Sequence, residues 1–177
     1  KAVPADLRLD PALILDRAYW RRQKGKEDAA ISLLTSDLDA MALKRPERLW
    51  RERHFWARRL LREGSPERAY TLTAEHSLRV NEQDTSNRAS KIRVAFADAE
   101  WTAGWIALRF LDRPEQALVH FQRMYNSVAT PVSRSRGAYW LARAAAALGD
   151  TQAARQWYQR AALYPHRYYG RLAAETL

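Results

Sequence analysis

The 177-residue chain contains no cysteine, which excludes disulfides and thiolate metal sites and suits an oxidising compartment without requiring one. Lysine is scarce: it stands only at positions 1, 24, 26, 44 and 91, so the net charge of +10 is carried almost wholly by arginine. No apolar run approaches the ~18 residues that a membrane span needs, and the first residues show no secretory n-region and h-region. The opening KAVPADLRLDP reads as mid-protein sequence, which predicts a mature product or a piece of a longer protein. β-branched residues are few and never alternate over a useful length, so nothing reads as a strand. His54, His76, His120 and His166 are scattered without ligand spacing, and there is no G-x-S-x-G, phosphate-binding glycine loop or H-E-x-x-H. Most of the 20 acids lie among arginines on polar helix faces, and none is singled out as a proton donor. The expectation is a chain with no catalytic residue, no metal and no cofactor.

What is present is helix punctuation. Pro11, Pro46, Pro66, Pro114 and Pro131 stand where helices are predicted to start, and Gly25, Gly64 and Gly149 where they are predicted to end. The first helix runs from Pro11 to about Arg22, with Leu13, Ala18 and Trp20 as buried candidates, and Lys26–Leu34 returns. Residues 36–47 read as a loop with one helical turn around Ala40–Leu43. A longer helix follows from Pro46 to Gly64, and its partner covers ERAYTLTAEHSLRV. The polar stretch 81–87 is the best linker and a candidate sub-boundary within one 1–177 domain. Beyond it, a helix over about Arg88–Leu111 contains Gly104, a residue costing about 1 kcal/mol there relative to alanine; the position predicts close approach by another backbone. PEQALVHFQRMY forms the next partner.

Residues 130–165 set the pattern for the rest. Thr130-Pro131 starts a helix with a capping hydroxyl and a proline whose missing N–H is not needed. Ala138, Leu141, Ala142, Ala145 and Leu148 share one face, and Arg136, Tyr139, Trp140, Arg143 and Ala147 the other. Gly149 stops it, Asp150 caps a second helix carrying Ala154, Tyr158 and Ala161 at helical spacing, and Pro165 ends that one. Alanines 30, 69, 117 and 154 occupy equivalent places in four such pairs, with a loose period. The fold class predicted is all-α, a superhelical stack of antiparallel helix hairpins, tetratricopeptide-like but too irregular for a strict array.

WRERHFWARRLL (50–61), GWIALRFL (104–111) with ALVHF (117–121), TPVSRSRGAYWLARA (130–144) and YYGRLA (168–173) resemble, in order and spacing, the superhelical non-catalytic region of the soluble lytic transglycosylases. Ala142 stands where that family often has Gly, and Arg171 where Gln is common. The resemblance covers most of the chain from about residue 10. It implies a bacterial periplasmic protein acting on peptidoglycan glycan strands. It also implies that Tyr168, Tyr169, Gly170 and Arg171 adjoin a lysozyme-like catalytic domain bearing a Glu-Ser motif. No Glu-Ser dipeptide occurs in this chain. The catalytic domain is therefore expected to be absent from it, and Glu175, followed by Thr, is not a substitute.

Arg136, Tyr139 and Arg143, with Trp140, form the candidate ligand face, able to stack on sugars and to pair with carboxylates. Against that stands internal packing against the preceding hairpin, which a stack with both helix faces buried favours. Trp56, Trp105 and Trp157 read as core wedges. The leading functional expectation is a helical scaffold that holds peptidoglycan and positions the catalytic domain. A tetratricopeptide-like protein-interaction module and a basic nucleic-acid-binding repeat are the alternatives, the latter resting on charge alone.

Overall fold

The structure, a computed structural model, describes residues 4, 7, 10–36, 38–81, 83 and 86–177. Its helices are α1 (Pro11–Gln23), α2 (Glu27–Leu34), α3 (Pro46–Arg62), α4 (Pro66–Ala74), α5 (Asn87–Phe110), α6 (Pro114–Ser127), α7 (Pro131–Ala147), α8 (Thr151–Ala162) and α9 (Tyr168–Thr176), with a 3-10 turn at Ala40–Ala42. Among the described residues there is no strand, and the fold is all-α. No helix of these residues is long and apolar enough to cross a membrane. Proline opens α1, α3, α4, α6 and α7, where a missing N–H goes unneeded. Side-chain oxygens of Asp10, Thr130 and Asp150 accept from the backbone N–H groups of Leu13 (2.9 Å), Ser133 (3.3 Å) and Ala153 (2.9 Å), capping α1, α7 and α8.

One turn geometry recurs between paired helices. Gly149 takes φ +78°, and the next N–H, that of Asp150, reaches back to the Ala145 carbonyl at 3.0 Å. Lys26 and Ser65 do the same to Arg21 and Leu60 after Gly25 and Gly64. Between α5 and α6 the left-handed residue is Asp112, φ +52°, a type that tolerates this region. Five residues past each turn lie Ala30, Ala69, Ala117 and Ala154, none more than 5% exposed. A methyl at that place lets the returning helix settle against its partner, and α1 packs on α2, α3 on α4 and α7 on α8.

The chain divides into two compact units, Lys1–Ala95 and Phe96–Leu177. The division falls inside α5. Of the polar stretch 81–87, residues 82, 84 and 85 lie outside the described residues. Leu34, Leu49, Trp56, Leu60 and Leu72 centre the first core; Ile106, Phe121, Met124 and Leu141 centre the second.

Several sequence expectations change. Trp20 is not buried but 54% exposed, because the stripe of α1 that packs inward is Ile14, Leu15 and Ala18, two residues short of it; Leu13 is half-buried. Leu148, placed on the inner face of α7, is 40% exposed, since the helix has already reached its turn. The helix after Pro66 ends at Ala74 instead of reaching Val80. His76 Nδ1 accepts the Leu78 N–H (3.0 Å) and Ser77 takes φ +57°, two local arrangements that end the helix. The close neighbour of Gly104 is an aromatic ring, not a backbone: a Cβ there would sit 2.8 Å from Phe121 Cε1 and 2.9 Å from Cδ1. Phe121 is fully buried and has nowhere to swing. Gly104→Leu is expected to destabilise by roughly 2–4 kcal/mol despite the better helix propensity of leucine. Thermal denaturation checks it, and an unchanged or raised midpoint would refute the overpacking.

Candidate functional site

α7 carries the face singled out in the sequence. Its inward stripe, Ala138, Leu141, Ala142 and Ala145, is fully or almost fully buried, which fixes the helix's rotation and so the direction of Arg136, Tyr139, Trp140 and Arg143. Tyr139 is only 9% exposed. Its ring meets those of Trp140 (5.9 Å), Tyr158 (5.7 Å) and Tyr169 (5.3 Å), and its hydroxyl accepts from Arg143 Nη1 at 3.2 Å. Burial raises the neighbouring Tyr158 phenol above its ordinary value, the charge of Arg143 opposing this. Arg136 lies half-buried with its guanidinium 5.0 Å from the Trp101 ring centre, and Arg143 6.0 Å from that of Trp140. Trp101 and Trp140 meet edge to face at 6.0 Å. The structure thus brings Arg136, Tyr139 and Arg143 to one aromatic layer. Their ring contacts are internal, and Arg136 and Arg143 are only half-exposed.

Trp56 is a core wedge at 2% exposure, as expected, whereas Trp105 and Trp157 are half-buried. Of the four C-terminal residues, Tyr168 is 63% exposed and Arg171 exposed, while Tyr169 is half-buried and Gly170 buried. Tyr168 lies against Tyr169 at 5.1 Å, and Tyr169 against Tyr139, so α9 is tied to α7 by rings. Gly170 meets α8: any Cβ there would press into the Tyr164 carbonyl and lie 3.0 Å from the Ala161 oxygen. Within this chain the glycine serves the seating of α9.

Two buried charged groups went unnoticed in the sequence. Glu100 on α5, 2% exposed, has Oε2 2.6 Å from His120 Nδ1 on α6 and Oε1 3.7 Å from Arg123 Nη1. At that burial it reaches no substrate unless the two helices part, so its chemistry is that of a pin between them. Arg53 on α3, also 2% exposed, donates from Nε to the Leu34 carbonyl (3.0 Å) and from Nη1 to that of Glu75. Burial pushes this guanidinium down to about 10, with the charge of Glu75 acting in the other direction. Both residues were legible as polar intruders on apolar stripes: Glu100 between Ala99 and Ala103, Arg53 between Leu49 and Trp56. Beside the α2 and α4 ends lies a depression of 230 Å³ lined by Thr35, Ser36, Leu38, Glu75 and Ser77, without an aromatic platform.

All five lysines lie before residue 96, and α7 and α8 together carry Arg134, Arg136, Arg143, Arg155 and Arg160 without one acidic residue. Among the described residues no group of three or more His, Cys, Asp or Glu gathers to hold a metal. In comparison with known proteins, neither a family model nor a curated protein matches this chain.

Proposed function

We propose that this chain is the non-catalytic helical scaffold of a bacterial periplasmic lytic transglycosylase. Its helix pairs stack as a superhelical solenoid that holds peptidoglycan strands and positions a lysozyme-like catalytic domain against them. One observation carries the reading beyond the sequence resemblance: the two helices α7 and α8 present five arginines and no acid, beside half-buried tryptophans. Such an arginine surplus attracts a carboxylate-rich polymer, and guanidinium is the cation best matched to planar carboxylates. Tyr168 and Arg171, exposed on α9, are the residues left for docking the catalytic domain.

Incubation with purified peptidoglycan sacculi tests it. The chain is expected to sediment with sacculi in dilute buffer and to leave them in molar salt, because exposed charge pairs are screened over about 3 Å at that ionic strength. It is expected to release no soluble anhydro-muropeptides. Absence of co-sedimentation in dilute buffer would remove the holding role, and lytic release above a heat-inactivated control would show a catalytic group in this chain.

A further inference from the structure

A second arginine–aromatic arrangement lies outside the Arg136–Tyr139–Arg143 layer, where α6, α7 and α8 converge. Its foundation is Gly137, whose missing side chain admits Met124 and Tyr125 of α6 against α7: a Cβ would stand 3.0 Å from Met124 Sδ and 3.1 Å from Tyr125 Cδ2. Tyr125 is therefore wedged in place. Arg134, one helical turn before Gly137, lays its guanidinium 4.5 Å from the Tyr125 ring centre. Trp157 of α8 meets Tyr125 edge to face at 5.1 Å, and Arg160, one turn further on, lies 4.3 Å from the Trp157 ring centre. The order across the surface is arginine, tyrosine, tryptophan, arginine.

Two consequences follow from this packing. One of the protein's own guanidinium groups already lies against each ring, which leaves less ring surface for stacking a sugar or a base. The guanidinium groups are stacked but have no acid: among the described residues neither Arg134 nor Arg160 makes an ion pair, and neither helix that bears them contains an acidic residue. A stacked guanidinium keeps its N–H edge free, with part of its rotamer entropy already lost, which favours in-plane pairing with a planar anion.

We infer that Arg134 and Arg160 form a paired carboxylate-binding site, held apart by Tyr125 and Trp157, whose occupant is a glycan strand bearing acidic peptides. This rests on the scaffold reading above for the identity of the polymer, and it assigns recognition to the polymer's carboxylates instead of its sugar rings.

The test uses the full chain and two probes: native sacculi, and sacculi whose carboxyl groups have been converted to methylamides with excess methylamine and a carbodiimide, leaving the sugars unchanged. Wild-type protein is expected to bind the methylamidated sacculi about tenfold or more weakly than native ones, the equivalent of losing one charge-assisted hydrogen bond. Arg134→Gln/Arg160→Gln is expected to bind native sacculi about tenfold more weakly, while a control of equal charge change, Arg51→Gln/Arg58→Gln on exposed α3 positions, stays within about twofold. Equal binding to native and methylamidated sacculi would overturn the carboxylate site while leaving the scaffold reading intact. An equal loss in both double variants would overturn it in favour of diffuse charge. Retained binding to duplex DNA with none to native sacculi would overturn the scaffold reading and this site with it. The methylamidated arm uses wild-type protein only, so it stands even where a variant is found to melt early.

Discussion

Arg53→Ala is expected to lower stability by about 3–5 kcal/mol, more than any exposed arginine of the chain would. The last carbonyls of a helix have no partner within it and carry the negative end of its dipole. Arg53 closes two such ends at once, bonding the carbonyl of Leu34, the last residue of α2, and that of Glu75, which caps α4. Truncation removes two charge-assisted bonds, each worth about 1.5–3 kcal/mol, and leaves a cavity beside unsatisfied oxygens. Burial costs the guanidinium something already, as its lowered value shows. Arg53→Met, which returns the apolar volume without the charge, is therefore expected to lose less than Arg53→Ala. Arg53→Lys is expected not to rescue, since one ammonium cannot reproduce a fork spanning two helices. Two compact units need not melt in one step, so amide exchange is the sharper readout. Protection should fall in the last turns of α2 and α4 and persist in α7 and α8. An Arg53→Ala protein with wild-type protection at both ends would show that the guanidinium is an accessory.

Gly170→Ala offers a prediction whose sign is unusual. In an ordinary helix interior this exchange stabilises by about 1 kcal/mol through propensity and unfolded-state entropy. Here a Cβ would overlap the Tyr164 carbonyl oxygen and lie 2.7 Å from its carbon, and backbone cannot rotate away as a side chain can. The expected result is a loss of roughly 3 kcal/mol or more, limited by the free energy that seats α9 on α8. Once that limit is reached the helix undocks, exposing the buried Ala173 and the contact of Tyr169 with Tyr139. Fast amide exchange confined to 166–176, with the α7–α8 hairpin still protected, is the expected signature. Ala174→Gly, at an exposed position of the same helix, serves as the comparison and should cost only about 1 kcal/mol. A Gly170→Ala protein more stable than wild type would mean that α9 has another way to pack.

Where helices begin and end was written locally. A proline at the first helical position, a capping Asp or Thr, and a glycine past the last turn act within a few residues, so the sequence was enough to place nearly every helix. The α5–α6 turn shows the limit of glycine as a marker, since Asp112 does there what Gly149 does elsewhere. The end of α4 was missed for the same kind of reason: His76 and Ser77 stop it through bonds that no propensity announces.

The candidate face was legible only in part. Periodicity placed Arg136, Tyr139, Trp140 and Arg143 on one side of α7, but not what would lie over that side. Trp101 and Tyr169 come from helices far along the chain, and their contacts decide that Tyr139 is buried and Arg136 stacked. Arg134 and Arg160 were in view as charge, yet their pairing with Tyr125 and Trp157 needs three helices at once and has no linear signature.

By itself, then, the sequence determined an all-helical chain of hairpins, the buried alanines at their crossings and a surplus of arginine. Each depends on backbone conformation or composition, which neighbouring residues set. Tertiary structure alone decided which polar groups enter the core and which arginines lose their freedom. Glu100 meets His120, Arg53 reaches two helix ends, and Gly137 admits Tyr125 because separate helices come within side-chain reach. Those meetings depend on how whole helices rotate to bury their stripes, a choice that no single stretch of residues makes.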